Sequence, residues 1–259
     1  MNHKLILFDF DGVVIDGINE YWFSSLIACK KFLNTKEIPV DLNIHRPVSQ
    51  EFIHLRPWVK FGWEMVIITH EIVKENTTLD SLGAENFTKN YYHNCQEILK
   101  KNSWAAEIVQ KSLDDSRQFQ LSTNPNKWIS MHKPFSEVLS FMRQAKQNGF
   151  KIGIISTKGI EFTTQVINSF NIFPELIFGY ESGSKTQIIS ALKLDYKIVG
   201  FIEDRRQTLI NIVNNKFTAN IPCFLANWGY LKDTDRLDLP SKIKLLKLKD
   251  LKDILANSF

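Results

Sequence analysis

Two aspartates that directly follow a short apolar segment constrain the fold of this chain more than any other feature. Leu5 to Phe8 is an unbroken apolar run, and Asp9 and Asp11 come after it, with Gly12 behind them. Such a run predicts a central strand that is buried on both faces of a parallel sheet. Two carboxylates at the end of a buried strand lose hydration and repel each other, so a cation or a reaction must compensate for them.

Later segments repeat this pattern of a short apolar run that stops on polar residues. Strand and helix alternate from about residue 134 onward, which predicts a doubly wound α/β sheet. Ligands of such sheets bind at the carboxyl ends of the strands, which is where the polar residues lie. The predicted strands are Lys4–Phe10, Phe150–Ile155, Lys197–Ile202, Pro222–Asn227 and Ile243–Leu248, and the predicted helices are Pro134–Gly149, Ile160–Phe170 and Lys185–Leu192.

Residues 17–132 have a different pattern. Glycine is scarce there, and apolar residues such as Phe61, Met65, Ile68 and Ile72 recur at helical spacing. This segment also holds five of the six tryptophans, which we interpret as the core of a helical domain. The sequence therefore predicts an α/β core domain formed by residues 1–16 and 133–259, interrupted by an all-helical insert formed by residues 17–132.

The composition argues against several other classes of protein. The chain has 259 residues and no apolar run near the roughly 20 that span a bilayer, and Asp9 interrupts the first apolar segment as no signal peptide would allow. We therefore expect a cytoplasmic protein without a membrane partner.

The net charge is +4 with dispersed lysines, so we expect no nucleic-acid partner either. Cys29, Cys95 and Cys223 are isolated, which favours buried thiols over disulfides or a cysteine metal site.

Two further motifs suggest an anion site at the same sheet edge. Ser156 and Thr157 end the predicted strand before a helix, and a hydroxyl there can bind an anion together with the free N–H groups of the helix, although it can also serve only as a helix cap. Lys185 opens another predicted helix after a turn. Alone, each signal has an ordinary structural explanation.

Adjacent acids, Glu203 and Asp204, close a third apolar strand. If the strand ends are neighbours, these acids meet Asp9 and Asp11, and each carboxylate pair at about 4 Å costs on the order of 4 kcal/mol at an effective dielectric constant near 20. A hard divalent cation removes this penalty, and oxygen-only ligation suits Mg²⁺. The sequence thus predicts a magnesium site from charge rather than from a ligand-spacing motif.

In this order the motifs resemble those of the haloacid dehalogenase superfamily of phosphohydrolases, whose core is a Rossmann-like sheet and which carry a helical cap inserted after the first motif. The resemblance covers about residues 1–16 and 133–230. It implies a nucleophile at Asp9, a general acid and base at Asp11, a charge-balancing lysine at Lys185, phosphate or substrate binding by Ser156, Thr157 and Gly12, and magnesium binding by Asp9, Asp11, Glu203 and Asp204.

One departure from the family pattern leaves a question open. Glu203 stands where many relatives have glycine, and Thr208 stands where they have a second aspartate, so the division of metal binding between Glu203 and Asp204 is undecided. The expected activity is Mg²⁺-dependent hydrolysis of a small phosphorylated metabolite through an aspartyl phosphate. The alternatives are a sugar phosphate mutase of the same superfamily and a non-catalytic protein that binds a phosphate ligand.

Several side chains outside the motifs have two interpretations. Arg46, Arg56 and Lys60 of the insert either meet distal groups of the substrate or are ordinary surface residues. His132 is interpreted as an exposed linker residue. Trp228, in Trp228-Gly229-Tyr230, is expected to pack in the core rather than to overhang the site.

Overall fold

The computed structural model describes residues 3–33 and 47–256 of the chain. These residues divide into two compact units, one formed by residues 1–16 and 133–259 and the other by residues 17–132. Of the basic residues considered above, Arg46 lies outside the described residues. Among the described residues, no helix combines the length and the apolar character that crossing a membrane requires.

The first unit is built on a six-stranded sheet in which every neighbouring pair of strands is parallel, which confirms the predicted α/β fold. The strands are β1 (His3–Phe8), β4 (Lys151–Ile155), β5 (Leu176–Phe178), β6 (Tyr196–Glu203), β7 (Cys223–Ala226) and β8 (Ile243–Leu246). Their order in the sheet is β5-β4-β1-β6-β7-β8. The central strand β1 is completely buried from Leu5 to Phe8 because sheet neighbours and covering layers enclose it.

Helices connect these strands and bury apolar faces. The first of them buries Val138, Phe141, Met142 and Ala145, which recur at helical spacing and form one stripe. Gly149, with φ of +80°, follows the end of that helix and was predicted as its last residue. The helices are α9 (Ser136–Gln147), α10 (Ile160–Ser169), α11 (Lys185–Leu192), α12 (Arg206–Asn214) and α13 (Lys252–Ala256).

A two-stranded antiparallel ribbon lies where the chain leaves the α/β unit and returns to it. Strand β2 (Ile15–Asp16) pairs with β3 (Lys133–Pro134), so that Asp16 faces Lys133. The loop before β2 is tight, because the Phe10 carbonyl accepts hydrogen bonds from the amides of Val14 and Ile15. The two connections to the helical unit therefore run side by side.

The described part of residues 17–132 is helical. Trp22, Trp63 and Trp128 are buried as predicted, while Trp58 and Trp104 are half-buried. All three cysteines of the chain are free and buried, which confirms that prediction. The helices are α1 (Ile18–Cys29), α2 (Gln50–Leu55), α3 (Gly62–Val73), α4 (Thr78–Leu82), α5 (Ala84–Lys89), α6 (Tyr91–Lys101), α7 (Ala106–Thr123) and α8 (Pro125–Ser130).

A buried ion pair joins α1 to α7. The Nε of Arg117 donates to Oε1 of Glu20 at 2.8 Å, and the Ser24 hydroxyl donates to the same oxygen at 2.6 Å. The prediction that His132 is an exposed linker residue is wrong, because its ring is buried, with Nε2 3.7 Å from Oε2 of Glu20. The carboxylate and the ring of Trp128, 4.7 Å away, enclose the imidazole.

Candidate active site

Parallel pairing of β1 with both of its neighbours brings the predicted site residues to one edge of the sheet. Phe8, the last residue of β1, is in register with Ile154 of β4 and Ile202 of β6. The next residue, Asp9, extends this pairing, since its amide donates to the Ile202 carbonyl at 2.8 Å. Each strand ends within one or two residues of this level, so the side chains that follow share one site.

Three carboxylates form a buried cluster at this edge. Asp9, Glu203 and Asp204 are 6%, 0% and 3% exposed, and each offers an oxygen within 4.8 Å of the others. Asp11 does not belong to this cluster. Its Oδ1 lies 3.8 Å from the Nζ of Lys158 instead.

Lys185 joins two members of the carboxylate cluster. Its Nζ donates to Oδ1 of Asp9 at 2.5 Å and to Oε2 of Glu203 at 2.7 Å. It is the first residue of α11, where the Ser184 hydroxyl caps the helix by accepting from the Gln187 amide. A local capping motif therefore fixes the point from which the lysine reaches the strand ends.

Burial and charge shift the pKa of both partners. Burial and then repulsion from Glu203 raise the pKa of Asp9 to about 7, although Lys185 opposes this change. Burial alone would lower the pKa of Lys185, but the charges of Asp9 and Glu203 raise it above its ordinary value. The lysine thus stays protonated, and the cluster retains an excess of negative charge that one lysine does not remove.

Protein groups occupy both carboxylate oxygens of Glu203. Oε1 accepts from the amides of Asp204 and Arg205 at 3.1 and 3.0 Å, while Oε2 accepts from Lys185. These bonds compensate for the complete burial of the charge. The bond to Oε2 also holds the ammonium group of Lys185 beside Asp9.

Glycines allow the backbone to approach Asp204 closely. Gly12 has φ of +93°, and a Cβ there would lie 2.0 Å from Oδ2 of Asp204. A Cβ at Gly229 would lie 2.3 Å from the Cβ of Asp204. Both positions exclude any side chain, and the observed role of Gly12 is to make room for this carboxylate.

Ser156 and Thr157 lie after β4 in different environments. Ser156 is buried, and its hydroxyl accepts from the Lys158 amide at 2.9 Å, while Thr157 is exposed. The first amide of α10, Ile160, donates to the carboxylate of Glu181 at 3.3 Å, so a protein anion already uses part of this helix terminus. The two hydroxyls remain candidate phosphate ligands.

The comparisons with known proteins identify the family. The model of the haloacid dehalogenase-like hydrolases matches residues 3–207. The chain belongs to this family. Comparison with curated proteins finds no match.

Solved structures share the fold of this haloacid dehalogenase-like hydrolase at low sequence identity. A predicted phosphatase from Clostridium acetobutylicum has 16% identity and a TM-score of 0.60, with 99% of this chain and 100% of that chain covered. A predicted phosphoglycolate phosphatase from Haemophilus somnus has 12% identity and a TM-score of 0.59, with 98% and 99% covered. A candidate β-phosphoglucomutase from Thermotoga maritima has 12% identity and a TM-score of 0.54, with 99% and 100% covered. Such likenesses show the fold.

The carboxylate cluster of this haloacid dehalogenase-like hydrolase fits a divalent cation. Its candidate ligands are oxygens only, they are buried, and they carry more negative charge than Lys185 balances. These properties match the preference of Mg²⁺ for hard, anionic ligands. Asp9 and Asp204 are the side chains best suited to hold it, since Glu203 is engaged by the backbone and by Lys185.

Sequence reasoning missed one charged residue of the site. Lys158 follows Ser156-Thr157 and is 3% exposed, with its ammonium group facing Asp11. Its place in the sequence, between a strand end and a glycine, resembles that of a solvent-facing lysine. The sequence feature that could have found Lys158 is its position two residues after Ser156, whose hydroxyl follows a buried strand. A short loop keeps a residue at that position near the same edge of the sheet.

Proposed function

We propose that this haloacid dehalogenase-like hydrolase is a Mg²⁺-dependent phosphatase that hydrolyses a small phosphorylated metabolite through an aspartyl phosphate at Asp9. One observation supports the proposal most strongly: the buried Asp9 accepts a hydrogen bond from Lys185, and an oxygen of its carboxylate lies within 4.8 Å of oxygens of Glu203 and Asp204. Phosphate monoesters hydrolyse very slowly without help, so a phosphatase must combine a nucleophile, charge neutralisation and proton transfer. The candidate residues supply each of these.

Asp9 is the proposed nucleophile. Its carboxylate attacks phosphorus in line and forms the acyl phosphate, which water then hydrolyses. Attack requires the ionised form, and burial and repulsion from Glu203, which raise the pKa of Asp9 to about 7, make that form costly. Mg²⁺, held by Asp9 and Asp204, would supply the missing positive charge and would also stabilise the charge of the phosphoryl group.

Asp11 is the proposed proton donor and acceptor. It lies two residues after the nucleophile and outside the carboxylate cluster, so it can exchange protons instead of holding the cation. In its protonated form it donates to the leaving oxygen, and as a carboxylate it then takes a proton from the attacking water. The ammonium group of Lys158 lies 3.8 Å from Oδ1 of Asp11.

Ser156, Thr157 and Lys185 are the proposed ligands of the phosphoryl oxygens. Donors aimed at these oxygens stabilise the charge that spreads over them in the transition state. The backbone of Gly12 lies in the same loop as Asp11 and is a proposed part of the substrate site. The helical unit, inserted between β2 and β3, is the proposed cap that selects the substrate.

Mutase activity is the second candidate function, because the fold is shared with a candidate β-phosphoglucomutase as well as with phosphatases. The two reactions differ in the acceptor of the phosphoryl group, which is water in one and a sugar hydroxyl in the other. The same aspartyl phosphate serves both. Only the products distinguish them.

A panel of phosphorylated metabolites, with and without Mg²⁺, tests the proposal. We expect release of inorganic phosphate that needs Mg²⁺ and that Asp9→Asn abolishes without unfolding the chain. Asp195→Asn, an exposed aspartate of the same unit, is the matched control. Wild-type activity in Asp9→Asn would exclude the nucleophile, and isomerisation of a sugar 1-phosphate without phosphate release would favour the mutase.

A further inference from the structure

The segment that follows β7 contacts the loop after β1. Strand β7 neighbours β6, with Leu225 in register with Glu203. Trp228 is half-buried, and its indole Nε1 donates to the Val13 carbonyl at 3.0 Å. Its role is thus a specific hydrogen bond to the loop that carries Asp11, in addition to packing.

The next residue places the backbone of this segment against Asp204. A Cβ at Gly229 would lie 2.3 Å from the Cβ of Asp204 and 2.7 Å from the Gly12 carbonyl oxygen. The carboxylate of Asp204 therefore lies between two segments that carry no side chain at the point of contact. Its freedom to rotate is restricted from both sides.

Tyr230 contacts two aspartates through different groups. Its backbone amide donates to Oδ2 of Asp204 at 2.8 Å, and its hydroxyl donates to Oδ1 of Asp16 at 2.6 Å. Both acceptors are carboxylates, and hydrogen bonds to charged acceptors are about twice as strong as neutral ones. One residue thus connects a candidate metal ligand to the last residue of β2, where the chain leaves the α/β unit.

We propose that Tyr230 is a positioning residue for Asp204, a role that rests on the proposed Mg²⁺-dependent function. The bond from its hydroxyl to Asp16 fixes the ring and, with it, the backbone amide that orients the Asp204 carboxylate. Outer partners of metal ligands typically change metal affinity by about 10- to 100-fold when they are removed. Loss of the hydroxyl leaves the amide in place, so the effect is at the lower end of that range.

The test measures Mg²⁺ affinity without relying on turnover. The unfolding temperature is recorded against Mg²⁺ concentration, since a cation that binds only the folded state stabilises it by RT ln(1 + [Mg²⁺]/Kd), from which the Kd is fitted. We expect Tyr230→Phe and Asp16→Ala each to raise the fitted Kd for Mg²⁺ about 10-fold. The double variant should resemble either single variant, because both remove the same bond.

Two further variants separate positioning from general stability. Asp16→Asn keeps an acceptor for the hydroxyl and should stay within about threefold of wild-type Mg²⁺ affinity. Tyr196→Phe, at the other end of β6, should leave Mg²⁺ affinity unchanged. At saturating Mg²⁺, kcat of Tyr230→Phe should lie within about twofold of wild type, whereas a merely structural role would lower kcat and the unfolding temperature and leave Mg²⁺ affinity intact.

Two failures of the test have different meanings. If Mg²⁺ stabilises the wild type and the affinity of Tyr230→Phe is unchanged, the positioning role is overturned and the proposed function stands. If Mg²⁺ neither stabilises the wild type nor supports phosphate release, the proposed function itself fails and the positioning role fails with it. Reduced affinity in Tyr230→Phe with rescue in Asp16→Asn supports the proposal.

Discussion

The Nζ of Lys185 lies 2.5 Å from Oδ1 of Asp9, although 176 positions separate the two residues in the sequence. The same ammonium group is 2.7 Å from Oε2 of Glu203, so it is shared between two buried carboxylates. Removing it would leave both anions close together in a site from which water is largely excluded. The lysine is therefore needed both for the folded state and for the proposed reaction.

Lys185→Met tests this dual role. We expect kcat to fall about 100- to 1000-fold, which is the usual effect of removing one preorganised charge-stabilising donor. The unfolding midpoint in urea should also fall at pH 8, because Asp9 and Glu203 then repel each other without compensation. Lys197→Met, at an exposed position of β6, is the control for loss of one positive charge. Full activity in Lys185→Met would contradict the assignment.

The raised pKa of Asp9 predicts how the stability of the metal-free protein depends on pH. The folded state holds the proton up to about pH 7, whereas the unfolded chain releases it near pH 3.8. The contribution of Asp9 to the free energy of unfolding is therefore fully present below pH 3.8 and is lost as the pH rises to about 7. Between pH 5.5 and 8 the free energy of unfolding should fall by on the order of 2 kcal/mol.

Urea titrations in EDTA at several pH values measure this effect, and Asp9→Asn should remove the part that Asp9 contributes. Mg²⁺ should stabilise the wild type most above pH 7, because the cation and the proton compete for the same carboxylate. If the free energy of unfolding instead rose between pH 5.5 and 8, and the rise disappeared in Asp9→Asn, the result would contradict the burial of Asp9 and its repulsion from Glu203.

Gly12→Ala should disrupt metal binding through a clash. The added methyl would lie 2.0 Å from Oδ2 of Asp204, so the carboxylate must move. We expect at least a 10-fold loss of Mg²⁺ affinity and a comparable loss of activity at limiting Mg²⁺. Gly149→Ala is a matched control, because Gly149 also has a positive φ, of +80°, but has nothing within 4 Å of an added Cβ. That variant should lose about 1 kcal/mol of stability and keep its activity.

Glu203 and Asp204 should differ in their effect on Mg²⁺ binding. Both oxygens of Glu203 accept hydrogen bonds from protein groups, so Glu203→Gln should lower kcat by misplacing Lys185 and should change Mg²⁺ affinity less than Asp204→Asn does. Calorimetric titration of both variants with Mg²⁺ makes the comparison. Equal losses of affinity would indicate that Glu203 is a direct ligand.

The sequence predicted β1, β4, β6, β7 and β8 but not the short edge strand β5. It also predicted that Asp9, Glu203 and Asp204 meet, because buried parallel strands must end at one edge, whereas the place of Lys185 beside them came from the family resemblance. It did not predict that Asp11 lies outside the carboxylate cluster or that Lys158 is buried beside it. The positions of both side chains depend on the path of short loops, and the spacing of apolar residues does not predict that path.

Contacts between side chains that lie far apart in the sequence could not be predicted from the sequence either. The Tyr230 hydroxyl meets Asp16 across 214 positions. His132 was assigned to an exposed linker because it stands near a domain boundary. In the structure its ring is buried 3.7 Å from Glu20, a buried carboxylate that needs polar neighbours and that also accepts hydrogen bonds from Arg117 and Ser24.

The central place of β1 has a consequence for synthesis of the chain. This strand, residues 3–8, pairs with residues 151–155 on one side and with residues 196–203 on the other. A ribosome that adds about 5–20 residues per second needs on the order of ten seconds or more to produce both partners. Both edges of this apolar strand lack their final neighbours until residues 151–155 are made, and one edge lacks its neighbour until residues 196–203 follow, so the strand can attract chaperones or other nascent chains. The helical unit is complete earlier and can fold first.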